Sequence, residues 1–323
     1  MTRAILCAGE ALVDLISLSP GMGLGDSTLF ESRLGGAPMN VAIGARRLGA
    51  SVSFLGKIGC DPFGDRLWSA MEREGLDLSP SVREGGTSTT LAFVALDRDG
   101  KPQFRFYRDN AADVSLKEEE VASVDPRRWS CLSFGSISLL EEPSSSTYLG
   151  LFGRFREAGV ITAYDPNVRP LAIDRPEHFR SIAMEVISKA DIVKISDDDL
   201  RWLCPSKEPE ESLMDLPISQ GSVAFLTLGA RGAMARKGET VTSVPAHPVE
   251  VKDTTGCGDA FMAAILVKLG QMDREELHRL HQDYLTKTAA FGCAAASVVA
   301  GRIGAAFAMG TLEEVIARGG TGL

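Results

Sequence analysis

The stretch GVITAYDPNVRPLAIDRPEHFRSIAMEVISKADIVKIS, residues 159–196, decides the fold. It opens on a β-rich run, GVITAYDP (159–166), and closes on a second one, ADIVKIS (190–196). Between them lies a helix candidate, PEHFRSIAMEVISKA, that starts at Pro176, where a first-turn proline belongs. Strand, helix and strand in succession imply a parallel sheet wrapped by helices.

The same alternation runs outward in both directions. Further strands are read at AILCAG (4–9), SVSFLGKIG (51–59), SCLSFGSIS (130–138) and VAFLTLG (223–229). Several are apolar throughout, as expected of strands covered on both faces. Helix candidates are PMNVAIGARRLG and PFGDRLWSAMEREG, opening on Pro38 and Pro62, and SSSTYLGLFGRFREAG. No low-complexity linker or short repeat interrupts the chain, so one main α/β domain is expected. Two regions break the pattern. Residues 10–34 hold strand-like runs around a Gly-rich loop, and 88–108 read as a hairpin turning at Asp99-Gly100. Together, about 10–34 and 88–110, they are expected to form a small sheet standing off the body as a lid. A period of two puts Phe104, Phe106 and Arg108 on one lid face. An arginine there either serves an anionic or hydroxyl-rich ligand or snorkels to water from a strand end.

The composition is that of an ordinary soluble globular chain: 323 residues, 44% hydrophobic and 24% charged. A net charge of −9 disfavours nucleic acid and anionic membrane as partners, but not a small anion in a local positive pocket. The six cysteines show no C-x-x-C pair and fit neither a zinc site nor a disulfide framework. The first residues read as a strand and not a signal peptide, and no apolar segment is long enough to span a bilayer. A reducing cytoplasm is the simplest home. His278 and His281 make an i, i+3 pair without a third ligand, and no metal is assigned to them.

Chemistry concentrates in DTTGCGDAF, residues 253–261. A helix N-terminus leaves N–H groups unpaired and carries partial positive charge, and glycines there admit a phosphate to the backbone. Gly256, Cys257 and Gly258 therefore read as an anion cradle. Asp259 would repel a phosphate, so its place suits a base that takes the proton of an attacking hydroxyl. The plainer reading is a glycine turn whose aspartate stabilises the helix end. Neither a G-x-x-x-x-G-K-[ST] loop nor a G-x-G-x-x-G after the first strand is present, which argues against P-loop and dinucleotide-dependent dehydrogenase chemistry.

The chain resembles the ribokinase-like (PfkB) carbohydrate kinases, above all their fructokinase and 2-keto-3-deoxygluconate kinase branch. The resemblance runs nearly end to end. It rests on LGGAPMNVAIGARRLG (34–49) and DTTGCGDAF (253–261), with FYRDNAAD (106–113), YDPNVRP (164–170), DIVKISDDDL (191–200) and TLGARGA (227–233) between them. It implies a three-layer α/β sandwich with a mostly parallel central sheet and a small β-sheet lid. It also implies an ATP-dependent kinase acting on a primary hydroxyl, with fructose to fructose 6-phosphate the first choice and 2-keto-3-deoxygluconate the runner-up. A catalytically silent sugar sensor is the alternative of another class, and the intact glycines and aspartate speak against it.

Residue by residue, the resemblance makes Asp259 the base and the amides of Gly256, Cys257 and Gly258 the anion hole, with Cys257 where most relatives carry Ala. It gives Asp14, Gly35, Gly36 and Asn40 to the sugar, with Phe93, Phe106 and Arg108 coming down from the lid and Arg169 binding substrate or phosphate. To ATP it gives Asn167, Lys194, Ser196, Asp199, Thr227, Gly229, Gly232 and Cys293. Ser196 and Asp199 stand where the family carries an N-x-x-E element associated with Mg2+ and phosphate, and Cys293 where relatives often carry Asn. Mg2+ is expected on the ATP phosphates. Asp253 and the Thr255 carbonyl are candidates for a monovalent cation such as K+. A homodimer paired through the lids is a further expectation.

Overall fold

The computed structural model describes residues 3–19, 21–99 and 102–320. Its strands are β1 (Ala4–Ala8), β2 (Leu12–Ser17), β3 (Phe30–Gly35), β4 (Val52–Leu55), β5 (Lys57–Gly59), β6 (Val82–Glu84) and β7 (Leu91–Leu96). These are followed by β8 (Pro102–Tyr107), β9 (Trp129–Gly135), β10 (Ile161–Asp165), β11 (Ile192–Ser196), β12 (Val223–Thr227), β13 (Ala233–Lys237) and β14 (Thr240–Val244). The α-helices are α1 (Gly23–Asp26), α2 (Ala37–Arg47), α3 (Pro62–Arg73), α4 (Ser144–Glu157), α5 (Pro176–Lys189) and α6 (Asp197–Leu203). Then come α7 (Pro209–Asp215), α8 (Cys257–Leu269), α9 (Arg274–Arg279), α10 (Gln282–Ala300) and α11 (Leu312–Ala317).

Eight strands form the main sheet in the order β14-β13-β12-β11-β10-β9-β1-β4. From β4 to β12 every pairing is parallel, and β13 and β14 close one end antiparallel. Alternate residues of each strand feed two separate cores. Ile5 and Cys7 pack on one face of the sheet, Leu6 and Ala8 on the other. The first face is covered by α2, α8 and α10, the second by α4 and α5. Helix α8 is apolar nearly all round because it lies in contact with both α2 and α10.

The run 51–59 is not one strand. It breaks at Gly56 into β4, in the main sheet, and β5, which pairs with β6. A Cβ at Gly56 would lie 2.6 Å from the Gly9 carbonyl oxygen, so the bend needs a residue without one.

The two regions that break the alternation meet in a second sheet, ordered β3-β2-β7-β8. β2 and β7 pair in parallel, with antiparallel β3 and β8 outside them. Asp99 keeps its predicted turn position, while Gly100 lies outside the described residues. On the inner face Asp14 pairs with Ala92 and Arg33, and Ala92 with Phe106. On the outer face the Phe93 ring meets Phe30 and Tyr107 edge-on, at 5.2 and 5.4 Å between centroids. Among the described residues no helix is long and apolar enough to cross a membrane.

Candidate active site

A cavity of about 660 Å³ opens at the carboxyl ends of β11 and β12, under the inner face of the small sheet. Its size suits a small-molecule site, and its place is where open parallel sheets bind ligands. The N-terminal turns of α2 and α8 close its floor, bringing together the two stretches that carry the strongest sequence signals.

Gly256 caps α8 in the left-handed region, at φ +85°, and a Cβ there would stand 3.0 Å from Ala305 Cα. Gly256 and Gly258 line the cavity, and their amides have no acceptor among the described residues. Cys257 departs from its expected place. Its N–H donates to the Thr254 carbonyl at 3.2 Å, its thiol turns toward the Ala296 carbonyl at 3.6 Å, and it does not line the cavity. The open donors of the turn are therefore those of the flanking glycines. Burial pushes the Cys257 thiol up to about 11, so it stays protonated and unreactive.

Asp259 is 5% exposed and faces the cavity. Asn40 Nδ2 donates to its Oδ2 at 2.8 Å, joining the first turns of α2 and α8. Asn40 Oδ1 is buried with no hydrogen-bond partner among the described residues. Burial raises the Asp259 carboxyl above the usual aspartate range, against the pull of Asn40, Lys194 and Arg169. Lys194 Nζ donates to Asp165 Oδ2 at 2.9 Å. Both residues lie on the α8-facing side of their strands, and a Cβ at Gly258 would come within 2.9 Å of Lys194 Nζ. The lysine ammonium thus sits over the glycine turn, where it adds to the positive field of the helix end.

Asp14 descends from the inner face of β2, in line with Leu12 and Ile16, as the alternation predicted. Gly35 makes room for it: a Cβ there would lie 2.1 Å from Asp14 Oδ2. Gly35 itself is not in the cavity wall, whereas Gly36 is, at φ +106° against the Glu10 backbone. Burial lifts the Asp14 carboxyl to about 6, opposed by Arg169 and Arg33 and assisted by Asp259. Phe106 faces the cavity, but two other residues expected to reach it from the small sheet are not brought there. Phe93 has the opposite parity and lies on the outer face. Arg108 stands just beyond the end of β8, where Asp113 Oδ2 at 2.7 Å and Glu141 Oε1 at 3.3 Å hold its guanidinium.

On the other side, Asn167, Arg169, Lys194, Ser196, Asp199, Thr227 and Gly229 all line the cavity. Asn167 adopts φ +41° and Arg169 is exposed, donating to the Asn167 and Val168 carbonyls at 3.4 and 3.2 Å. Ser196 and Asp199 form a capping box at the start of α6. Asp199 Oδ2 accepts from Ser196 N and Oδ1 from Val168 N, so both its oxygens are engaged. Asp197 and Asp198 line the cavity beside it. Gly232 closes the loop behind Gly229 and is not in the wall; a Cβ there would meet the Val244 oxygen at 2.0 Å. Cys293 is buried in the α8-side core away from the wall, its thiol pushed up to about 11 by burial. Thr255 lines the cavity but Asp253 does not. Asp253 Oδ1 accepts from Thr255 N and Oγ1, and its Oδ2 from Gly304 N and Arg33.

Sequence reasoning missed Glu10 and Ser136 in the wall and Asp165 behind it, whereas Phe104, placed on one face with Phe106, does line it. Phe104 was legible by its parity with Phe106. Glu10 and Asp165 had no such signal, because their partners lie far away in the chain.

Residues 2–312 match the family model described as pfkB family carbohydrate kinase. The chain belongs to that family. It is thus a phosphotransferase with an alcohol group as acceptor. It is similar to fructokinase-1 of Oryza sativa subsp. japonica, 34% identical over 316 residues, which cover 98% of this chain and 97% of the rice protein. Among solved structures, the ATP-bound fructokinase of Xylella fastidiosa superposes with a TM-score of 0.87 at 29% identity, covering 98% of each chain. A double mutant of Vibrio cholerae fructokinase, solved with fructose, ADP and potassium ion, gives 0.83 at 26% identity, again over 98% of each. The fold of these carbohydrate kinases is the ribokinase-like α/β sandwich expected from the sequence, with a large, mostly parallel sheet and a small second one.

Proposed function

We propose that the protein transfers the γ-phosphate of ATP to the primary hydroxyl of fructose, forming fructose 6-phosphate. The observation that carries this reading is the buried Asp259 carboxylate beside two unoccupied glycine amides in one cavity. In this reading Asp259 takes the proton of the attacking hydroxyl, while the Gly256 and Gly258 amides and Lys194 meet the charge that develops on the phosphoryl oxygens. Asn40 fixes Asp259, and its unpartnered Oδ1 is an acceptor for a sugar hydroxyl. Asp14 accepts from further hydroxyls. The small sheet acts as the lid that excludes water, so that phosphate passes to sugar and not to solvent.

ATP phosphates lie, in this reading, along the rim from Gly229 and Thr227 to Asp197 and Asp198. Mg2+, bound with the nucleotide through few protein ligands and several waters, neutralises phosphate charge there. Asp198, an exposed side chain paired with Arg201, fits that task better than Asp199, whose oxygens serve two amides, or Asp197, which accepts from Asp198 N and pairs with Arg201 and Arg231. For a monovalent cation the fit is poorer, since each Asp253 oxygen already accepts from two donors.

One observation favours a second acceptor, 2-keto-3-deoxygluconate. Arg169 is an exposed cation in the cavity that, among the described residues, donates only to carbonyls, as a substrate carboxylate would need. ADP release measured over a panel of ketoses and sugar acids decides between them. Turnover of fructose is expected, with Arg169→Gln costing the sugar acid more than fructose; activity on the sugar acid alone would overturn the first reading. ATP consumption that ignores every sugar would leave only a binding protein.

The pH profile is a separate expectation. Asp259 and Asp14 both work as carboxylates, and burial raises both. Protonation removes the base and weakens the sugar contact, so activity is lost as pH falls, with sugar affinity declining near the Asp14 value of about 6. A kcat/KM for sugar that is flat from neutral pH to well below that value would refute the assignment of both groups.

A further inference from the structure

The chain passes into and out of the small sheet twice, at residues 9–11, 35–37, 88–90 and 108–113. Each entry is pinned to an exit. At the first pair, the Ala37 N–H donates to Glu10 Oε1 at 3.2 Å, while Ser138 of the main body bonds Glu10 Oε2 and accepts from Glu10 N at 2.9 Å. The fit is tight: a Cβ on Gly36 would sit 2.5 Å from the Glu10 carbonyl oxygen, and one on Gly9 would sit 2.4 Å from Pro38 Cγ.

At the second pair, Thr90 Oγ1 donates to Asp113 Oδ1 at 2.5 Å and Arg108 donates to Asp113 Oδ2 at 2.7 Å. Backbone bonds reinforce it, from Ser88 N to the Asn110 carbonyl and from Ala112 N to the Ser88 carbonyl. The second NH group of Arg108 reaches Glu141 of the main body at 3.3 Å. Glu10, Thr90, Arg108 and Asp113 are each no more than 9% exposed. The Tyr148 hydroxyl is buried with no hydrogen-bond partner among the described residues. Each pair of crossings thus has its own buried carboxylate, Glu10 at the first and Asp113 at the second.

We infer that Arg108 is a positioning residue: through Asp113 and Glu141 it holds the crossings at 88–90 and 108–113 in register and against the main body, and so sets how the small sheet meets the sugar. The inference rests on the sugar kinase reading above and on the small sheet serving as its lid. It differs from a substrate contact in its consequences. An arginine that clasps substrate matters only for acceptors bearing the group it clasps. A hinge arginine matters for every acceptor, and its loss lets water into the closed site.

The test uses Arg108→Lys, which keeps the cation but not the two-armed fork, and the double variant R108M/D113N, which removes both buried charges and leaves neither unpaired. ADP and sugar phosphate are measured side by side with every acceptor the wild-type enzyme uses. The expected result in both variants is a KM for sugar raised on the order of 10-fold to 10²-fold. ADP should form in excess of sugar phosphate, and affinity for a non-hydrolysable ATP analogue without sugar should match wild type. Wild-type KM with ADP and sugar phosphate still in equal amounts would overturn the hinge, as would a loss confined to carboxylate-bearing acceptors. Wild-type protein that turns over no acceptor would remove the kinase reading and the hinge with it.

Discussion

Replacing Asp259 by Asn lowers kcat by about 10²–10⁴, the usual worth of a general base. Asparagine keeps the shape of the side chain and a hydrogen-bonding partner for Asn40, so the floor of the cavity stays in place. What disappears is the proton acceptor. The effect on stability runs the other way. Burial raises the Asp259 pKa, so the ionised carboxylate is disfavoured in the folded state. Stability is fully present below the unfolded value and is lost as pH rises through the folded one. At neutral pH the neutral amide avoids that loss, and the variant is expected to melt no lower than wild type. Steady-state kinetics and a thermal melt on the same sample check both halves. Near-normal turnover would remove Asp259 from the reaction.

Gly35→Ala is expected to raise the KM for sugar by about 10²-fold, because a small displacement of a substrate-holding group is enough for that. The new methyl group would stand where Asp14 Oδ2 now is, 2.1 Å away, and the carboxylate must swing out of the cavity. A lost hydrogen bond to a charged group accounts for about 1.5–3 kcal/mol of the loss. The mechanism can be separated from general damage by a double-mutant cycle. Once Asp14 is Ala there is nothing left to displace, so adding Gly35→Ala then costs little more. Additive losses in the two variants would mean that Gly35 acts on something other than Asp14.

Most of the central sheet was legible because fully covered parallel strands read as apolar runs. The antiparallel end was not. AMARK, in β13, ends in Arg-Lys, and TVTSV, in β14, alternates hydroxyl side chains with valines, so neither carries such a run. The glycine turn of α8 and the Asp14 alternation were readable as local patterns. Arg108 was misplaced because a period of two was carried one residue past the strand end at Tyr107, into reach of Asp113. Phe93 could have been placed by parity, since Ala92 and Val94 take the inner face. No local pattern could reveal the Lys194–Asp165 pair, whose members lie 29 positions apart, or the Glu10–Ser138 pair, 128 apart.

The contact between Asn40 and Asp259 spans 219 positions, and the helices that carry them, α2 and α8, pack directly together. On the ribosome this means that the part of α2 that packs on α8, though its neighbours β1 and β4 are already made, waits for most of the polypeptide to be synthesised before α8 arrives. Closing so long a loop is entropically slow, and the interval leaves a sticky surface exposed. Shortened products that end before α8 would thus lack more than chemistry: they would be candidates for chaperone capture and degradation, and catalytic competence would be among the last properties the nascent chain acquires.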